Sequence, residues 1–286
     1  MIKPGVSLTH IASSLEKEGL IKSPLSFRLH TLLQGVSQHL KAGEYQFAPY
    51  ITQEEVLKNL HKGNVVQHDI TLPEGIPLEQ AMMVLNTHPN LKGKPLTEKD
   101  FELSPPLAET YFFIKGTTRR EILSRMHFDL KKLLNQLWEK RSSTTVLKSP
   151  QEALILAAVV EKETAIPIER PLIAAVFLNR LRIGMPLQSD PTVSYGLFRK
   201  NARPLNQALS RKELKIPTPF NTYLNKGLPP SPIALVGKES LKAVFLPVKS
   251  KHLYFVADGK GGHLFASTLK EHQKNHARWR HIRKKQ

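Results

Sequence analysis

The 286-residue chain is 40% hydrophobic, enough to build one large domain or two small ones, and it carries a formal charge of +18 from 42 basic against 24 acidic side chains. That charge selects polyanions without saying which; no helix-turn-helix spacing, zinc-finger pattern or aromatic RNA-binding motif accompanies it, so nucleic acid is not the expected partner. The absence of cysteine excludes disulfides and any thiolate zinc site.

Residues 7–19 read as a short capped helix, with Leu8, Ile11, Ala12 and Leu15 on one face and Gly19 at its end. A second helix is predicted around residues 25–33. GEYQF, residues 43–47, alternates as a strand does. Thr52 with Glu55 forms a capping box ahead of Val56, Leu57 and Leu60, and Gly63 closes that helix. A weak internal echo links IKPGVSLTHIASSL, from Ile2, to ITLPEGIPLEQAMMVL, from Ile70, each a strand end, a proline-glycine turn and a helix. An alternating strand through Val66, His68, Ile70 and Leu72 leads into the second copy, whereas only Met1 and Ile2 precede the turn of the first. The expectation is that the native protein extends upstream of Met1. No apolar stretch approaches 18 residues, and there is no signal-peptide pattern or lipidation motif.

The next helix begins near Pro150: Ser149 is a cap, proline takes the first helical position and Glu152 stands three residues after the serine. Residues 153–160 are apolar without a break, so this helix has no solvent-facing stripe and must be surrounded by protein. Glu161 ends the run on the side of Leu154, Ala157 and Ala158, where desolvation favours a neutral, proton-carrying carboxyl group. Glu163 projects roughly 200° around the helix from it. The two therefore do not form the facing carboxylate pair of ordinary glycoside hydrolysis. Residue type and position alone leave Glu161 evenly divided between a proton donor and a structural ion pair with Lys162 or Arg180.

A further helix is predicted over residues 168–183, ending at Gly184, with Arg180 and Arg182 solvating it. Gly259, Gly261 and Gly262 lie between the strand-like LYFVAD and HLFAS and read as a hairpin connection rather than a phosphate loop. His272 and His276 stand four apart on a predicted helix, but no third ligand is evident, and neither a metal nor a cofactor is expected. No G-x-S-x-G elbow offers a serine nucleophile.

Three blocks carry a resemblance: VVEKETAIPIERPLIAAVFLNRLRIGMPLQSDPTVSYGL, FNTYLNKGLPPSPIALVGKESLKAVFLP and LYFVADGKGGHLFASTLKEHQKN. In order and spacing, over about the last half of the chain, they resemble the YceG-like family of endolytic murein transglycosylases. The resemblance implies an α+β architecture: a small lysin-motif-like α/β module over residues 1–66, including KAGEYQF, followed by a mixed α+β catalytic domain over residues 67–286. It implies a lyase that cleaves the bond between N-acetylmuramic acid and N-acetylglucosamine in nascent peptidoglycan strands and leaves 1,6-anhydro ends, acting in cell-wall assembly and ending glycan polymerisation. In that reading Glu161 matches the catalytic glutamate and serves as single general acid and base. Glu163, Gln188, Asp190, Asn221 and Tyr223 are the candidate substrate-binding groups; turn and cap formation is the competing role for Asp190 and Asn221. The implied setting is the extracytoplasmic side of a bacterial inner membrane, reached through one upstream anchor helix, beside cell-wall synthases.

The chain departs from the family pattern in FELSPPLAETYFF, where only Thr110 and Tyr111 of a usual Pro-Asp-Thr-Tyr remain and Glu109 replaces aspartate. Ser231 stands after GLPP where glycine is common, and Leu235-Val236 replaces a usual Asn-Pro, both read as loop changes. A second function therefore stays open: a catalytically weak glycan-binding scaffold of the cell-wall machinery.

Overall fold

Ten helices and two small two-stranded sheets make a mixed α+β fold in this computed structural model, which describes residues 1–101, 104–205 and 207–283. Glu102 and Leu103 of the divergent segment, and residues 284–286 of the basic tail, lie outside the described residues. The chain divides into two units: Met1–Ile70 with Thr87–Pro95 and Thr110–Ile122, and Thr71–Asn86 with Leu96–Glu109 and Leu123–Gln286. The first takes in the whole of residues 1–66 and adds three later segments to them.

In the first unit, α1 (Leu8–Lys17) starts where the Ser7 hydroxyl accepts from the His10 amide, and α2 (Pro24–Leu33) follows Ser23 in the same way. Thr52 and Glu55 form the complete capping box of α3 (Gln53–Lys62), and Gly63 ends it in the left-handed region, φ 76°. Ile11, Ala12 and Leu15 of α1 meet Phe27 of α2 and Val56, Leu57 and Leu60 of α3 in one apolar core. The predicted strand at residues 43–47 is reduced to a single antiparallel bridge between Ile2 and Gly43. The alternation there has another cause: Tyr45 and Phe47 stack on each other, centroids 5.9 Å apart, and pack on the core, while the Tyr45 hydroxyl donates to the Lys41 carbonyl. Strand β1 (Gln67–Thr71) pairs instead with β2 (Thr110–Ile114).

The second unit is built around α6 (Pro150–Glu163). The Ser149 hydroxyl accepts from the Glu152 amide, and the Glu152 carboxylate reaches back to the Lys148 amide. Every residue from Ala153 to Glu161 is buried. Each large apolar side chain in that run contributes about 1.5–3 kcal/mol by leaving water, and Ala153, Ala157 and Ala158 let neighbouring helices approach closely. Those neighbours are α7 (Arg170–Arg182), α8 (Asp190–Arg199) and α9 (Lys238–Phe245). The helix predicted over residues 168–183 is split: Pro167–Glu169 is a 3-10 turn, and α7 starts at Arg170. Leu235 and Val236 are fully buried, and Leu235 exchanges backbone hydrogen bonds with Gly75 and Ile76. The Leu235-Val236 change therefore lies in a loop, as expected, but in one that is part of the core. An antiparallel hairpin, β3 (Tyr254–Ala257) with β4 (His263–Ala266), turns through the predicted glycines and carries α10 (Leu269–Arg283) against it.

Candidate active site

The last turn of α6 points its two carboxylates into different surroundings. Glu161 is turned into the protein, its side chain 3% exposed. One oxygen pairs with the buried Arg170 guanidinium at 2.8 Å, and the other accepts from the Gly237 amide at 3.1 Å, at the N-terminus of α9. Arg170 also reaches Glu74 at 3.1 Å. Burial pushes the Glu161 carboxyl up; the Gly237 amide, the nearby Ser240 hydroxyl and Arg170 oppose it, and Glu74 adds to the rise. Ser240 makes no hydrogen bond in this geometry, so its influence is one of proximity. Glu161 thus ties α6 to the Glu74-Gly75 turn and to α9, and it is not among the residues lining the cleft described next.

Glu163 opens on a cleft of about 480 Å³ together with Arg180, Gln188, Asp190 and Tyr223, the β3-β4 hairpin and α10. The residue as a whole is partly exposed, but its carboxyl group is enclosed, and burial pushes it up to about 7. Asp190 adds to the rise; a 2.5 Å hydrogen bond from the Ser189 hydroxyl and the charge of Arg180 oppose it. Ser189 is 1% exposed and precedes α8, yet its hydroxyl caps no amide of that helix. Its amide donates to the Thr222 hydroxyl at 3.0 Å, which is 2.8 Å from that of Thr192.

Gln188 holds φ at 51°, in the left-handed region that non-glycine residues seldom adopt, and its amide donates to the Thr222 carbonyl at 3.1 Å. Strain of this kind costs on the order of 1–3 kcal/mol and persists only where surrounding structure fixes it. Tyr223 donates to Asp190 at 2.6 Å, and burial pushes its phenol up. Of the sequence-predicted groups, Glu163, Gln188, Asp190 and Tyr223 line one cleft. Asn221 does not: it is fully buried, its amide donates to the carbonyls of Leu214 and Ile216, and its oxygen accepts from the Tyr223 amide. Asn221 therefore shapes the loop that presents Tyr223.

Arg180 was expected to solvate α7 but is 6% exposed. It donates to the Leu187 carbonyl at 2.5 Å and the Leu253 carbonyl at 2.6 Å, joining the cleft's floor to its hairpin wall. An arginine two residues after the apolar run at residues 173–178 was the available signal, since a charge on a helix buried all round needs partners. Sequence reading also passed over Ser189 and His263; the latter's Nδ1 lies 2.7 Å from Glu169. His272 and His276 face the cleft, but among the described residues no group of three or more potential ligands is arranged to hold a metal ion.

The sequence profile of the YceG-like family matches residues 1–278. The chain belongs to that family. An endolytic murein transglycosylase of Bacillus subtilis is 30% identical over 304 aligned residues, covering 96% of this chain and 82% of the relative. One from Streptococcus pneumoniae D39 is 29% identical over 96% of this chain, which spans 57% of that longer relative. A YceG-like protein of Listeria monocytogenes, solved as a 2.6 Å crystal structure, matches with a TM-score of 0.58 at 28% identity over 96% of both chains. YceG-like membership is thus shared by the divergent first half and by the three sequence blocks. No helix among the described residues is long and apolar enough to cross a membrane.

Proposed function

We propose that this protein is an endolytic peptidoglycan lytic transglycosylase and that Glu163, not Glu161, is its single general acid and base. The activity is supported by the names of the Bacillus and Streptococcus relatives. The assignment rests on one observation: Glu163 is a proton-retaining carboxyl group, raised to about 7, that opens on the cleft, whereas Glu161 is held by Arg170 and Gly237 away from it.

Such a group performs both halves of an anhydro-forming cleavage. Protonated Glu163 gives its proton to the glycosidic oxygen as the bond to the muramoyl anomeric carbon breaks, and N-acetylglucosamine leaves as an alcohol. The muramoyl C6 hydroxyl then attacks the anomeric carbon, and the Glu163 carboxylate takes its proton. The proton count closes without water or an enzyme nucleophile, so no second catalytic carboxylate is required. A pKa near the working pH suits a group that must both give and accept. Asp190 supplies negative charge beside the cationic sugar that develops, while Gln188 and Tyr223 offer an amide and a phenol to sugar hydroxyl and acetamido groups. The same reading makes residues 1–66 a lysin-motif-like glycan-binding module, places the enzyme outside the cytoplasm on a membrane anchor beside cell-wall synthases, and gives it the role of ending strand growth.

Digestion of purified glycan strands tests this. Internal cuts with 1,6-anhydro-muramic ends are expected. Glu163→Gln should abolish them with the fold intact, while Glu161→Gln should retain measurable cleavage. Free reducing ends would overturn the lyase mechanism, and full activity in Glu163→Gln would overturn the assignment.

A further inference from the structure

The wall of the cleft opposite α6 contains more than the chemistry requires. Leu269, His272, His276 and Trp279 follow one another at helical spacing along α10 and line the cavity that Glu163 enters. Tyr254 of the hairpin stacks on His272, centroids 5.0 Å apart and planes at 20°. His276 follows at 6.2 Å, and Trp279 is 5.4 Å beyond it. Such a stripe on a helix is normally core, but no residue of α10 is buried. The guanidinium of Arg283 lies over the Trp279 ring at 5.4 Å, and the ring still borders the cavity. The His272 Nδ1 is itself buried and makes no hydrogen bond. Burial, together with the charges of His276 and Arg180, pushes the His272 imidazole down, so at neutral pH it is an uncharged ring with one nitrogen to give or accept a hydrogen bond. Lys270, Lys274 and Arg278 are spaced along a separate, exposed stripe of the helix.

We infer that His276 and Trp279, backed by the Tyr254–His272 stack, form a stacking platform for a sugar ring of the glycan strand next to the cleavage point, with Trp279 as its outer anchor. This deepens, and rests on, the reading of the cleft as a glycan-cleaving site. The chemistry favours sugar over other occupants. A pyranose with equatorial substituents presents axial C–H groups on both faces, and these pack on the electron-rich face of an aromatic ring. Aromatic rings with a few convergent polar groups are the usual lining of a small-molecule pocket, whereas a polyanion would use the separate lysine and arginine stripe. His276 and Trp279, with ring centroids 5.4 Å apart, extend the contact beyond the Tyr254–His272 pair, which fits cutting within a strand rather than at its end.

The test uses the full chain carrying Glu163→Gln, so that ligand is bound and not cleaved, and a peptide-free oligosaccharide of alternating N-acetylglucosamine and N-acetylmuramic acid, titrated by calorimetry. Adding Trp279→Ala is expected to weaken binding about tenfold, and Trp279→Phe to recover most of that loss. In the cleaving protein, Trp279→Ala should raise KM by about the same factor and leave kcat within about twofold. A merely structural role for Trp279 would instead lower the melting temperature and reduce kcat, and would overturn the inference. Unchanged oligosaccharide affinity in Trp279→Ala, with weakened binding of a single-stranded DNA oligonucleotide, would also overturn it and identify a nucleic-acid surface. If Glu163→Gln without the tryptophan change binds no oligosaccharide at all, the reading of the cleft falls along with the platform; if that parent binds and the tryptophan change has no effect, only the platform falls.

Discussion

Ser189 donates its hydroxyl hydrogen to Glu163 across 2.5 Å instead of accepting from the first amides of α8. The hydrogen bond favours the charged carboxylate and opposes the rise that burial imposes. Ser189→Ala removes that opposition, so Glu163 should titrate above about 7. In the proposed mechanism cleavage begins with the protonated form and declines as pH rises through this pKa. The alkaline limb of kcat/KM for glycan cleavage should therefore move to higher pH in Ser189→Ala. A limb that stays in place would separate Glu163 from the titration.

The raised carboxyl also makes stability depend on pH. An ordinary glutamate titrates near 4.5 and Glu163 near 7, so the folded state binds this proton more tightly than the unfolded chain does. The contribution of Glu163 is complete below about 4.5 and is lost as pH rises through 7; above that, the protein holds a buried charge at a cost of up to about 3 kcal/mol. Glu163→Gln is neutral at every pH and still offers Ser189 an acceptor. It should unfold at higher denaturant concentration than the parent at pH 8.5, by about 2–3 kcal/mol, and at nearly the same concentration at pH 4. Equal stabilities at both pH values would mean that the carboxyl is open to solvent.

The helix bearing these two glutamates was legible down to its cap, because Ser149, Pro150 and the unbroken apolar run fix its start and its burial. Which glutamate faces the cleft was not. A helix apolar on every side has no face that points outward, so its pattern cannot tell Glu161 from a group two residues on. The distinction comes from Ser189, Arg170 and Gly237, which are 26, 9 and 76 residues away from their partners. Residues 43–47 failed for a related reason: two aromatic rings packing on a core generate the same alternation as a strand, and only the lack of a partner strand among the described residues separates them. Gln188, Asp190 and Tyr223 were readable as polar groups in loops, but their convergence depends on the Thr222 and Asn221 contacts that fold those loops together.

Gly237 has an ordinary backbone, φ −88°, so its lack of a side chain has a spatial reason. A Cβ there would sit 1.7 Å from Glu74 Oε1, and the same residue's amide holds Glu161. Gly237→Ala must displace Glu74 from Arg170 or shift the start of α9. The expected cost is about 1–3 kcal/mol, as for other overpacked sites, read as a lower midpoint in urea. Activity should fall less than in Glu163→Gln, since Gly237 supports α6 from the side away from the cleft. Wild-type stability in Gly237→Ala would show that Glu74 moves aside freely and that the Glu74, Arg170 and Glu161 cluster is not a fixed brace.

Asn221 and Tyr223 separate shaping of the cleft from the ligand contact proposed for it. Asn221→Ala leaves the Leu214 and Ile216 carbonyls without their donor and the Tyr223 amide without its acceptor, all three in part-buried hydrogen bonds. Leaving these three part-buried groups unpaired costs about 1–3 kcal/mol in all, so the melting temperature should drop by roughly 5 °C, and KM should rise because Tyr223 loses its anchor. Tyr223→Phe removes only the hydroxyl that donates to Asp190. It should melt within about 2 °C of the parent, because replacing a single hydrogen bond to a carboxylate at a partly solvated site changes stability little, and the loss should fall on glycan cleavage. If Tyr223→Phe instead melts as low as Asn221→Ala and cleaves normally, the phenol is a brace for α8 and the cleft's polar contacts reduce to Gln188 and Asp190.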